Sequence, residues 1–191
     1  MKCMLCESLS FTHICKECQS TFLTPSIYKR KITNDIEVIS FFRYNEIKKL
    51  LHTKHTDLGY HIYKILAKNS FAKFSKEFEY QTTVNSIPID DKIDSGYSHT
   101  AILNKELKSR YIKPIFNKLR ADRSVKYSGK NKEFRILNPR EFKLKNGDFK
   151  DIILVDDIIT TGSTLTQAIS TLQKSNKDVL FCLTLADVSI K

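Results

Sequence analysis

Glycine is scarce: the chain of 191 residues has five, Gly59, Gly96, Gly129, Gly147 and Gly162. No G-x-x-x-x-G-K-S/T run passes through them. This excludes a P-loop, although one apolar strand ends in two acids as the acidic strand of such ATPases does. No stretch approaches the about 18 consecutive apolar residues of a membrane span, so none is expected. The opening run Met1 to Cys6 lacks the apolar core of a secretory signal, which leaves a soluble, cytoplasmic protein as the expectation. Internal repeats and long low-complexity tracts are missing too. Acids are outnumbered, 21 Asp plus Glu against 32 Lys plus Arg, for a formal net charge of +11. That surplus suits polyanionic partners: nucleic acid, acidic lipid surfaces or phosphorylated metabolites. The length permits one sizeable core and a small appendage rather than two full domains.

The most informative run is Ile152 to Thr164, Ile-Ile-Leu-Val-Asp-Asp-Ile-Ile-Thr-Thr-Gly-Ser-Thr. An unbroken β-branched stretch predicts a central parallel strand covered on both faces, with ligands beyond its carboxyl end. Asp156 and Asp157 stand at that edge, where each carboxylate can accept a hydrogen bond from a ribose hydroxyl. Thr160, Thr161, Gly162, Ser163 and Thr164 open the next helix, whose backbone N–H groups and dipole attract a phosphate. Gly162 lets the backbone approach closely. Asp157 and Thr161 are both expected to face solvent in this cradle.

Four of the five cysteines, Cys3, Cys6, Cys15 and Cys18, form two C-x-x-C knuckles separated by eight residues. Each knuckle aims two thiolates at one ion, and four thiolates make the closed tetrahedral sphere of a structural zinc site. The short interval favours a single-hairpin knuckle over a long-armed ribbon. A redox role is the alternative, but a thioredoxin-type motif opens a helix after a strand and does not come as a close pair. His13 can replace a cysteine, though four thiols suffice. A module this small depends on metal for its folding energy, so loss of one ligand is expected to unfold only the first twenty or so residues. Its role is architectural or recognitive. Cys182 reads as a buried core thiol.

Between these ends, strands and helices alternate as in a doubly wound sheet. Ile36 to Tyr44 reads as a strand, followed by a helix capped by Asn45 and carrying Ile47, Leu50 and Leu51. A second helix is expected from about Leu58 to Phe78. Thr83 to Ile89 is the next strand, Tyr97 to Ser109 a helix and Ile112 to Phe116 a strand; Leu165 to Gln173 and Val179 to Ala186 close the chain. Phe41, Phe42 and Tyr44 are either core or base-stacking groups. The turn Asp90-Asp91-Lys92 lies at the same carboxyl edge as Asp156. Asn117 to Pro139 reads as a basic loop carrying Arg120, Arg123, Lys126, Lys130 and Lys132. It is either a lid or binding element or a solvated excursion.

The Ile152–Thr164 run resembles the phosphoribosyl pyrophosphate (PRPP) motif of type I phosphoribosyltransferases. Together with the four cysteines, the segment Tyr44, Lys48, Lys54 before Gly59, and the strand ending in Pro88, it makes nearly the whole chain similar to the ComF/ComFC competence family. That resemblance implies an open, mainly parallel α/β sheet flanked by helices over residues 32–191, after a zinc module over residues 1–24. It implies PRPP at Asp156, Asp157 and Thr160 to Thr164, with pyrophosphate and Mg²⁺ at Asp90, Asp91 and Lys92. It also implies handling of single-stranded DNA after membrane passage in natural transformation, beside other competence proteins at the inner membrane. The basic loop would then contact the DNA. Transfer of the phosphoribosyl group to a small nitrogenous base is the alternative. Family members usually have Arg-Gly-Phe-Asn-Gln where this chain has Ser95-Gly96-Tyr97-Ser98-His99, so a cation, an amide pair and a glutamine are missing. The preceding acidic turn tolerates pyrophosphate only with Mg²⁺ between them.

Overall fold

The computed structural model describes residues 1–89, 96–121 and 141–190. The amino-terminal half carries helix α1 (Lys16–Phe22), strands β1 (Tyr28–Lys31) and β2 (Glu37–Arg43), and helices α2 (Tyr44–Leu51), α3 (Asp57–Asn69) and α4 (Phe71–Glu77). Strand β3 (Val84–Pro88), helix α5 (His99–Lys105), and strands β4 (Ile112–Pro114), β5 (Leu119–Ala121) and β6 (Phe142–Leu144) follow. The chain closes with β7 (Asp151–Ile159), α6 (Ser163–Lys174) and β8 (Asp178–Asp187).

Six strands form one sheet in the order β1-β2-β8-β7-β3-β4, parallel throughout except for the antiparallel edge pair β1–β2. The β-branched run is therefore where its composition predicts, as β7 in the interior between β8 and β3. Strand periodicity sends its side chains alternately to two cores. Ile153 and Val155 join Phe41, Leu50, Ile62, Leu66 and Leu183 under α2 to α5. Ile152 and Leu154 join Val38, Ile87, Leu165, Ile169 and Cys182 under α6, with Leu119 and Phe142 from the small β5–β6 pair. Cys182 is the buried core thiol that was expected, and burial pushes its pKa up.

Several boundaries differ from the sequence-based expectation for local physical reasons. Helix α2 starts at Tyr44, because the Glu46 carboxylate accepts the Arg43 N–H at 2.9 Å; Asn45 is inside the helix. The long helix expected from Leu58 to Phe78 is two helices broken at Ser70, whose ψ of −78 leaves the helical region while its hydroxyl donates to the Leu66 carbonyl at 2.7 Å. Thr56 caps α3 through the Gly59 N–H, and Ser98 caps α5 through the Ala101 N–H. Phe41 and Phe42 are core, Phe41 packing on Phe71 with ring centroids 4.9 Å apart, so neither stacks bases.

The first residues form an antiparallel bridge between Lys2 and Leu9, and the second knuckle opens α1 with Cys15 as its N-cap. Ile14 and Leu23 are fully buried in the same core as α3 and α4, and Asn69 donates to the Gln19 side chain at 3.0 Å. The amino-terminal segment is thus packed onto the domain.

Candidate functional site

The two adjacent acids of β7 point to opposite sides of the sheet. Asp156 follows Ile152 and Leu154 toward α6, where it lines a small cavity with Thr160, Gly162, Ser163 and Thr164. Its Oδ1 accepts the Asp157 N–H at 2.8 Å. Gly162 has φ +82, a left-handed conformation open to glycine, and a Cβ there would meet the Ile32 side chain at 3.2 Å. That geometry turns the chain directly into α6, whose twelve residues present first-turn N–H groups at the carboxyl edge of the sheet. Thr161 is exposed as expected, and its hydroxyl lies 3.1 Å from that of Ser163. Asp156, Thr160, Gly162, Ser163 and Thr164 line one cavity, and Thr161 is beside it.

Asp157 departs from the expected solvent-facing position, being 7% exposed. It follows Ile153 and Val155 toward α3 and α5, where its Oδ2 receives Lys54 Nζ at 3.2 Å and the Tyr63 hydroxyl at 3.4 Å. His99 Nε2 stands 3.4 Å from the same oxygen. Burial alone would raise the Asp157 pKa, but the Lys54 ammonium and then His99 hold it down to about 2, from 3.8. Burial and the facing carboxylate push Tyr63 well above the usual tyrosine range.

A depressed carboxylate contributes stability above its unfolded pKa and loses it as pH falls through the folded value. Wild type should therefore exceed Asp157→Asn in melting temperature near neutrality. The advantage, roughly 2 kcal/mol for this shift, should disappear between about pH 4 and pH 2. Thermal melts of both proteins across that range check it; a gap that persists unchanged into acid contradicts the assignment.

A second clamp holds the motif loop from behind. Arg30, on edge strand β1, donates from Nη2 to the Thr160 carbonyl at 2.7 Å, and its Nε lies 3.0 Å from Asp187 Oδ2. Asp187 ends β8 and is 1% exposed, with the Ser189 N–H and hydroxyl on its other oxygen at 2.8 and 2.7 Å. Arg30 lies in the basic run Lys29-Arg30-Lys31, where nothing in its neighbours reveals an edge strand laid beside β2. Asp187 did carry a signal, an acid closing an apolar strand as Asp156 does. Tyr63, inside an ordinary helical stripe, carried none.

The four cysteines converge, all sulfurs lying within 4.8 Å of one another, with Cys6 Sγ and Cys15 Sγ at 3.7 Å. A tetrahedral ion with bonds of about 2.3 Å to sulfur needs sulfur–sulfur edges just under 4 Å, so the set can hold a metal ion. Backbone N–H groups already point at the sulfurs: Cys15 N–H to Cys3 Sγ at 3.3 Å and Cys18 N–H to Cys15 Sγ at 3.4 Å. Burial opposes ionisation of Cys3, yet the N–H groups of Cys15, Cys6 and Leu5 bring its pKa down to about 6. Burial and the neighbouring thiols push Cys18 up. His13 instead packs on His61, ring centroids 4.8 Å apart.

Of the expected basic-loop residues, Arg120 is on β5, exposed and opposite Lys143 of β6. Arg123, Lys126, Lys130 and Lys132 lie outside the described residues, as do Asp90, Asp91 and Lys92. No helix among the described residues is long and apolar enough to cross a membrane.

A mainly parallel sheet flanked by helices, with β7 running through a left-handed glycine turn into α6, makes this a phosphoribosyltransferase-like α/β fold. The chain belongs to the PRTase-CE family, whose model matches residues 26–190. Among solved structures it is similar to a hypoxanthine phosphoribosyltransferase from Staphylococcus aureus, at 17% identity, 65% of this chain, 62% of that one and a TM-score of 0.43. An adenine phosphoribosyltransferase matches at 12% identity, 90% and 89% coverage and a TM-score of 0.44. Orotate phosphoribosyltransferase from Aeropyrum pernix matches at 13% identity, 90% and 80% coverage and a TM-score of 0.40. The chain spans 62% of the length of the Staphylococcus aureus enzyme. No curated protein matches it.

Proposed function

We propose that the chain binds PRPP at the loop after β7 and handles single-stranded DNA in natural transformation, as a ComF/ComFC-type protein of the cytoplasm working beside competence proteins at the inner membrane. The observation that carries the PRPP reading is the left-handed Gly162 at the start of α6, which sets Thr160, Ser163, Thr164 and Asp156 around one cradle at the carboxyl edge, with Thr161 beside it. In this reading Thr160 to Thr164 take the 5-phosphate, Asp156 a ribose hydroxyl, and Asp157 orders the site through Lys54 and His99. Mg²⁺ with Asp90, Asp91 and Lys92 takes the pyrophosphate. Residues 1–24 act as a zinc module on the 32–191 domain, with Cys3, Cys6, Cys15 and Cys18 as ligands. PRPP with Mg²⁺ at about a hundred times its Kd should raise the melting temperature by about 5–10 °C. Thr161→Ala should abolish that rise and leave the apo protein unchanged; a variant keeping the full rise shows the cradle is elsewhere.

The DNA reading is supported by the net charge of +11 and by Arg120 opposite Lys143 at the base of the basic segment. Each phosphate neutralised releases a counterion, so removing the charges of Arg120, Arg123 and Lys126 together should flatten the salt slope by about two units, at about 0.7 per single-strand contact. An unchanged slope moves the contact to other cations, and no binding at low salt removes the reading.

Transfer of the phosphoribosyl group to a nitrogen nucleophile is the second reading. It is favoured by the His99–Asp157 pair, an ionisable couple at the same edge. Pyrophosphate release in a screen of nucleobases separates it from binding alone.

A further inference from the structure

A cavity of about 280 Å³ opens between α3, α5 and the residues after β4, apart from the motif loop. Tyr60, Tyr97 and Phe116 supply three rings to it, Lys64 and Lys105 two ammonium groups, and Glu106 one carboxylate. We propose that this cavity is a nucleotide site, taking one base against the rings and its phosphate against the lysines. The nucleotide is either free or one unit of a single strand. The inference rests on the nucleic-acid reading above only for the strand; the chemistry of the cavity is independent of it.

The rings are built to be there. Tyr97 is fixed by its hydroxyl, which donates to the Lys54 carbonyl at 2.7 Å and lies 3.2 Å from the Thr56 carbonyl. Gly59 makes this possible, since a Cβ at that position would collide with the Tyr97 hydroxyl and the Thr53 carbonyl. Tyr60 stands edge-on to Tyr97, centroids 5.7 Å apart at 77°, so their planes form a corner rather than a closed stack. Tyr60 and Phe116 each remain 40% exposed, leaving aromatic surface in water at a concave place. Lys64 Nζ lies over the Tyr60 ring, 5.4 Å from its centroid, which holds a cation directly beside that ring.

Each part matches one part of a nucleotide. A base has a π-face that stacks on aromatic side chains whatever its identity, and the phosphate needs cations nearby. A carboxylate accepts from an exocyclic amino group. The volume is slightly below the about 300–1,000 Å³ usual for small-ligand pockets, so it suits a single nucleotide and not a duplex. An acyl chain would leave two lysines without a purpose, and an acidic peptide would leave three rings. Through Tyr97 the cavity is also tied to Lys54, whose ammonium holds Asp157.

The test is fluorescence titration of the full chain with adenosine monophosphate and, separately, with labelled oligodeoxyadenylate. Wild type should bind at least one probe. Tyr60→Ala should weaken that binding roughly tenfold to a hundredfold, and Lys64→Gln with Lys105→Gln should flatten the oligonucleotide salt slope by about 1.4. All three side chains lie at a surface cavity, so the variants should stay folded, Tyr60→Ala losing only a few degrees of melting temperature with its contact to Tyr97. Binding of the mononucleotide as well as the strand identifies a free-nucleotide site; binding of the strand alone identifies a strand contact. If wild type binds the strand but these variants leave affinity and slope untouched, the cavity assignment is overturned while the DNA reading stands. If wild type binds neither probe, both fail.

Discussion

Replacing Cys18 with serine is expected to release the metal and to loosen the domain well beyond the amino-terminal segment. Structural zinc supplies about 10–16 kcal/mol in small fingers, of the order of the whole stability of a domain at about 5–15 kcal/mol. The expectation that only the first twenty residues unfold follows from treating them as a separate module. Packing argues otherwise: Cys3, Ile14, Cys18 and Leu23 belong to the core that contains Leu66 and Phe71, and Gln19 is bonded to Asn69. Metal analysis of Cys18→Ser should find no zinc, and amide hydrogen exchange should rise in α3 and α4 as well as in α1. Unchanged zinc content contradicts the site, and exchange confined to residues before β1 contradicts the coupling.

Asp157→Ala is expected to destabilise the protein by about 3 kcal/mol, the lower end for breaking a buried ion pair, because Lys54 retains some access to water. For a chain of this length that corresponds to a fall in melting temperature of roughly 6–12 °C. Removing the carboxylate takes away the acceptor shared by the Lys54 ammonium, the Tyr63 hydroxyl and His99 Nε2. Asp156→Asn, which keeps an acceptor for the Asp157 N–H, should cost about 1 kcal/mol or less. Thermal melts of both variants settle this asymmetry. Equal losses would mean that the two acids occupy equivalent environments.

The contrast between these neighbours shows where sequence reading succeeds and stops. The run Ile152 to Thr164 announces its strand, its edge and its loop, because all three are local consequences of β-branching, strand termination and a left-handed glycine. The division of labour between Asp156 and Asp157 was missed, both being expected to take ribose hydroxyls, although the period-two alternation of a strand sends neighbours to opposite faces. What each would meet depends on Lys54, Tyr63 and His99, which are far apart in the chain and brought together by helix packing. The four cysteines were legible by spacing alone. Strand β1 was hidden by its charged sequence Tyr-Lys-Arg-Lys, which pays no attention to hydrophobic patterning because it lies at a sheet edge. Its partner is set by tertiary contact, and with it the Arg30 clamp on Thr160. The break at Ser70 was equally hidden, since the apolar stripe runs through both helices without interruption.

Calorimetric titration with PRPP and Mg²⁺ tests the central claim most directly. Wild type should show one saturable site per chain, Asp156→Asn and Thr161→Ala should lose it while remaining folded at the temperature of the titration, and Tyr60→Ala should retain it. Binding that survives in both cradle variants, or wild type that takes up no PRPP, would contradict the account.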